Sequence, residues 1–151
     1  MPFALSRTRR AVAIIVMAIV AITGATVTTA IPAHAQGYWA QKCGPGFSLY
    51  GKASLRPGDY AHVRVFKRHS GSNTDWCAIT VRHGLAEGNR SWTAVKLARG
   101  QSYNWKKIDR GHFKYYAGPV RIWNSHHASF EGRITYNGVK GAVSGVATPS
   151  S

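Results

Sequence analysis

Acidic side chains are scarce in this sequence. Five carboxylates (Asp59, Asp75, Glu87, Asp109 and Glu131) face 20 lysines and arginines, and the formal charge is +15. Such an excess repels itself, slightly opposes compaction and favours anionic partners such as nucleic acid, wall polymers or acidic polysaccharide. Cysteine is nearly absent too. The two that occur, Cys43 and Cys77, are not spaced as Cys-x-x-Cys, which argues against a reactive thiol pair. A convincing helical stripe is also missing. "LAEGNRSWTAVKLARG" comes closest, but Gly88-Asn89 interrupts it, and Trp92, Thr93 and Val95 prefer a strand.

The motifs of common chemistries are missing as well. No Gly-rich phosphate loop follows a strand and opens a helix, and no Gly-x-Ser-x-Gly elbow occurs. His126 and His127 are adjacent, so on a strand they would point to opposite faces, and no further Cys or His completes a metal-ligand set. No metal or cofactor is expected.

One long apolar run is present, at the start. Arg7, Arg9 and Arg10 precede the apolar stretch 11–25, and Ala33-His34-Ala35 forms a small-x-small site. That order is the pattern of a secretory signal peptide over residues 1–35, too short in its apolar part for a retained transmembrane segment. The Arg9-Arg10 pair has poor flanks and does not name the export route. Removing 35 of the 151 residues leaves 116, with 17 basic and five acidic side chains, or +12. This is enough for one modest domain. Export makes a Cys43–Cys77 disulfide the default. It closes a loop of about 35 residues and removes roughly 4 kcal/mol of unfolded-state freedom in the chain-entropy model.

From Cys43 onward turn chemistry recurs in "CGPGF", "RPGDY", "SGSNTD", "AEGNRS", "ARGQS", "DRGH", "AGPV" and "YNG", between runs rich in β-branched and aromatic residues. This reads as all-β, with seven or eight strands. A small antiparallel β-sandwich is expected, with a small β-barrel as the alternative. Period-two alternation assigns faces. Ala61, Val63 and Val65 oppose His62, Arg64 and Arg68, with Phe66 among the latter; Cys77, Ile79 and Val81 oppose Thr80 and Arg82; Thr93, Val95 and Leu97 oppose Trp92, Ala94 and Lys96; Phe130, Ile134 and Tyr136 oppose Glu131, Arg133 and Thr135. Residues 36–42 read as a short, loose leader, 43–140 as the β domain, and 141–151 as a flexible tail.

Two constellations invite function. Glu131 and Arg133 share a strand face near His126 and His127, a set that a small secreted hydrolase or ribonuclease could use. The other is "HFKYYAGPVRIW", residues 112–123, where cations and rings interleave. Gly118-Pro119 is expected to separate two strands. Phe113, Tyr115, Val120 and Ile122 then fall to the core, leaving His112, Lys114, Tyr116, Arg121 and Trp123 outside. With Arg64 and Arg82 these form a candidate binding surface, because rings beside cations stack on sugars or bases while the charges hold phosphate or carboxylate.

"CGPGF", "NTDWCAITVRHG" and "DRGHFKYYAGPV" together resemble the spore-associated protein A family of secreted proteins from filamentous actinomycetes. The resemblance runs from about Cys43 to Val120. Cys43 and Cys77 stand where that family has its first cysteine pair. Its second pair has no counterpart here, with Ala128 near the first expected position, as in a divergent member. The resemblance implies a secreted protein at spore or hyphal surfaces and no catalytic residues. The expected function is therefore non-enzymatic adhesion of a cationic sheet face to an anionic surface polymer or cell wall, with unspecific contact to nucleic acid possible in principle. The rivals are the hydrolase above and an antagonistic toxin or inhibitor-like protein.

Overall fold

The computed structural model describes residues 33–149. One helix, α1 (Ala33–Cys43), precedes eight strands: β1 (Ser48–Ser54), β2 (Ala61–Ser70), β3 (Asn73–Arg82), β4 (Ser91–Arg99), β5 (Lys107–Phe113), β6 (Tyr116–Ile122), β7 (Ala128–Tyr136) and β8 (Val139–Ala147). They form two four-stranded antiparallel sheets, ordered β1-β2-β3-β6 and β5-β4-β7-β8. The result is the expected small all-β sandwich; no closed barrel forms. The signal-peptide reading falls on residues outside those described, apart from Ala33–Ala35 at the start of α1. Among the described residues no helix is long and apolar enough to cross a membrane.

Alternation builds the core between the sheets. Val63, Val65 and Trp76 of the first sheet meet Val95, Leu97 and Ile134 of the second, all buried. The Trp76 indole N–H donates to the Ser125 carbonyl at 2.8 Å, which satisfies the ring's polar atom inside. Gly132 faces this core, where a Cβ would lie 2.9 Å from Thr80 Oγ1 and 3.1 Å from Val63 Cβ. The two sheets are also tied at their margins. Arg56 and Ala142 exchange backbone hydrogen bonds at 3.2 and 2.9 Å, and Asp109 Oδ2 accepts the Gly118 N–H at 2.6 Å.

The first sheet departs from one-sided packing. β3 is buried along nine of its ten residues. Cys77, Ile79 and Val81 point away from the inter-sheet core, and with Phe66, Cys43 and Phe47 they make a second core beneath α1. Phe66, which alternation put among polar residues, belongs to it. Residues 36–42 are consequently not a loose leader but part of α1. Trp39 packs edge-on to Tyr116 at 5.1 Å, and the predicted Cys43–Cys77 disulfide fixes the helix end to β3. Arg121 completes that end, donating from Nε to the Cys43 carbonyl and from Nη2 to the Lys42 carbonyl, both at 2.7 Å. A cation there complements the helix dipole and the orphan carbonyls.

Three further expectations are corrected. The stretch 141–151 is not a flexible tail through Ala147 but most of β8. Its small residues are a packing requirement: a Cβ at Gly145 would lie 2.7 Å from the Phe130 ring, and one at Gly141 3.0 Å from the Pro57 carbonyl. The Asn137-Gly138 turn ahead of it has both φ values positive, 48° and 78°, as a tight two-residue hairpin requires. The break inside "HFKYYAGPVRIW" lies at Lys114-Tyr115, not at Gly118-Pro119. The Gly-Pro pair sits within β6, where the pairing to β3 shifts between Ala78 and Thr80. Tyr115, expected in the core, is therefore in the turn and 54% exposed; Val120 and Ile122 are buried.

Replacing Cys43 and Cys77 together by alanine frees α1 from β3. The expected loss is about 2–4 kcal/mol of unfolding free energy, read from the denaturant midpoint at constant slope.

Candidate functional site

The outer face of the second sheet carries the candidate site. Register places its residues in rows across β5, β4, β7 and β8: His112–Trp92–Thr135–Lys140, then Arg110–Ala94–Arg133–Ala142, then Ile108–Lys96–Glu131–Ser144. Four full cations stand against one carboxylate on these rows. Arg110, His112, Arg133 and Lys140 are exposed. Glu131 is nearly buried between Lys96 Nζ, 2.7 Å away, and Arg133. Burial alone would raise its carboxyl, but hydrogen bonds and charge from Lys96 and Arg133 together outweigh it and hold Glu131 below the ordinary carboxylate range. At one end of the face Trp105 lies 5.5 Å from Lys96 Nζ.

Two of the other carboxylates, Asp75 and Asp109, are engaged inside the fold, and Asp59 lies near His83 beside the first sheet. Asp75 accepts from Arg68 at 2.8 Å and from the Asn124 N–H at 3.0 Å. Asp109 takes the Gly118 N–H, and Asp59 lies 3.8 Å from His83. They are not on hand to neutralise the second sheet's outer face.

The predicted binding residues do not form one surface. His112 belongs to the face just described, and Lys114 is exposed in the turn between β5 and β6. Tyr116 packs under Trp39, and Arg121 is committed to the end of α1. Trp123, 42% exposed, stacks with Arg68 at 5.3 Å on the other sheet. Arg64 is partly buried and donates from Nε to His62 Nε2 at 2.9 Å. Arg82, expected on a wet face, is 1% exposed. It lies on the inner side of β3, and one guanidinium nitrogen donates to the carbonyls of Ser91 and Phe113.

The chain matches no protein-family model, no curated protein and no solved structure. The site therefore rests on its own geometry.

The hydrolase constellation is not assembled. His127 lies four residues before Glu131 on an extended chain, roughly 13 Å away. His126 and His127 stack on each other at 5.6 Å, and the His127 carbonyl holds the Gly100 N–H and the Ser125 hydroxyl. A carboxylate held ionised by two cations is also a poor general acid. Alternation puts Trp92 and Lys96 on the face opposite Thr93 and Val95 but does not join them to Arg110 and Lys140. Only the pairing of β4 with β5 and β7, and of β7 with β8, does so.

His62 is the most perturbed base. Burial, then the charges of Arg64, His83 and Lys52, push its imidazole down to about 3. The unfolded chain binds this proton near pH 6.5, and the folded chain does not until far lower. Its contribution is therefore complete above pH 6.5 and is lost as pH falls toward 3. The melting temperature is expected to drop between pH 6.5 and 4.5, above the carboxylate range, and His62→Gln is expected to flatten that slope. An unchanged slope contradicts the assignment.

Proposed function

We propose that this protein is a secreted, non-enzymatic adhesion protein whose cationic second-sheet face binds anionic polymers of a cell, hyphal or spore surface. The observation that carries the reading is the imbalance on the outer rows of β5-β4-β7-β8, where four cations surround one already-paired carboxylate. The mechanism is multivalent electrostatics. Each exposed cation contributes little alone, and screening sets in over about 8–10 Å at physiological ionic strength. The resemblance of "CGPGF", "NTDWCAITVRHG" and "DRGHFKYYAGPV" to the spore-associated protein A family supports the surface location, and the apolar leader with its small-x-small site supports export. The scarcity of carboxylates, which leaves a surplus of cations, supports an anionic partner over a neutral one.

Binding of the purified protein to wall or spore material is expected to weaken steeply with salt, the logarithmic slope corresponding to about three released counterions. Arg110→Glu with Lys140→Glu is expected to reduce it at least tenfold, whereas Lys52→Glu on the other sheet changes it far less. Absence of binding at low salt contradicts the proposal.

A further inference from the structure

Two shallow concavities flank Trp92 and share it, together with Thr135, as a common wall. One, of about 510 Å³, is lined by Asn89, Arg90, Ser91, His112, Tyr136 and Asn137. The other, of about 320 Å³, is lined by Arg133, Lys140 and neighbouring backbone of β7 and β8. They form a groove across the sheet, with the indole in the middle and cations at both ends. From His112 to Lys140 the row crosses three strand spacings, roughly 14 Å.

The larger concavity has a second peculiarity. The Arg82 guanidinium lies close behind its wall, bonded to the Ser91 carbonyl and 6.0 Å from the Tyr136 ring, both of which line the cleft, while Arg82 itself lines a separate concavity with Glu87, Tyr115 and Tyr116. Arg82 Nε and Nη2 are buried with no hydrogen-bond partner, and so is Ser91 Oγ. None of the ion pairs among the described residues includes Arg82. A buried cation without an ion-pair partner is costly, and an anion in the neighbouring cleft lowers that cost through the intervening Ser91–Tyr136 wall.

We propose that this groove binds an acidic polysaccharide of the uronic-acid type, one sugar ring stacked on Trp92 and carboxylates held at the Arg90–His112 and Arg133–Lys140 ends. Such a polymer carries ring and charge on the same unit, so stacking at the centre brings anions to both ends. A poly(polyol phosphate) offers no ring to the indole. A nucleic acid strand presents successive bases and is favoured by several stacking platforms, whereas here the Tyr136 ring is packed edge-on against Tyr60 and Trp92 is the one indole in the groove. The remaining wall groups, Asn89, Asn137, Thr135 and Tyr136, suit hydroxyl-rich rings.

The inference rests on the adhesive reading of this face, and the test separates the two. Titration of the protein with oligogalacturonate, followed by tryptophan fluorescence and calorimetry, is compared with poly(glycerol phosphate), a neutral oligosaccharide and a single-stranded oligonucleotide. Oligogalacturonate is expected to bind tightest. Trp92→Ala is expected to weaken it about tenfold or more with the salt slope unchanged. Trp92→Phe retains most of the affinity, and Lys140→Gln lessens the salt slope. Lys140 is exposed and Trp92→Phe conservative, so these two variants carry the test if Trp92→Ala does not fold. Polyanion binding indifferent to Trp92 and Lys140, equal loss in Trp123→Ala, or preference for the oligonucleotide or poly(glycerol phosphate) overturns the groove while leaving adhesion standing. Failure to bind any polyanion at low salt overturns both.

Discussion

Five carboxylates must serve seventeen lysines and arginines downstream of residue 35, and their placement organises the rest of the molecule. Asp75 sits between Arg68 and the Asn124 amide, joining β2, β3 and the chain that leaves β6. Asp109 reaches from the second sheet to the Gly118 amide in the first, at the point where β6 shifts register. Glu131 holds Lys96 and Arg133 on the outer face of the second sheet. With its acids used in this way, the fold cannot neutralise its surface. The basic exterior follows from composition, and the burial of Asp75 and the use of Asp109 between the sheets sharpen it.

The two sheets share that surplus unequally. The first sheet is covered on its outer side over Phe66, Cys77, Ile79 and Val81 by α1, which is anchored by the disulfide and closed by Arg121. Its rings and cations hold the structure together, as Arg68 does over Phe47 and Trp123. Among the described residues the second sheet carries no helix on its outer side, and the segment from Gly100 to Trp105 covers one end of it. A sheet face with cations on its rows and the Trp92 indole near one end is what remains for a partner. Arg82 adds a buried charge near one end of that face, reaching its wall through the Ser91 carbonyl and the Tyr136 ring.

The sandwich was legible in the sequence because β-branched runs and turn residues alternate so regularly. Val63, Val95, Leu97 and Ile134 fall where period two puts them. β3 was harder, because a strand buried on both faces still reads as alternating when one face carries Thr80 and Arg82. β8 was hidden by its composition. Gly141 and Gly145 look like a frayed end, yet they are small because Pro57 and Phe130 occupy the space a side chain would need. In the candidate site, Glu131 with Arg133 and the wet side of β4 could be read residue by residue. Their union with Arg110, His112 and Lys140 depends on strand pairing between segments far apart in sequence. Arg121 and Arg82 show the converse: a cation in a promising motif can be consumed by a helix end or a carbonyl pair.

The central claim is that the free charge surplus acts through the outer face of the second sheet. It is tested most directly by an amide chemical-shift map of the isotope-labelled protein titrated with short-chain polyphosphate at low salt. The account predicts shifts concentrated on Trp92, Arg110, His112, Arg133 and Lys140, reversed by added salt. Shifts centred instead on α1 and β2, or none, would contradict it.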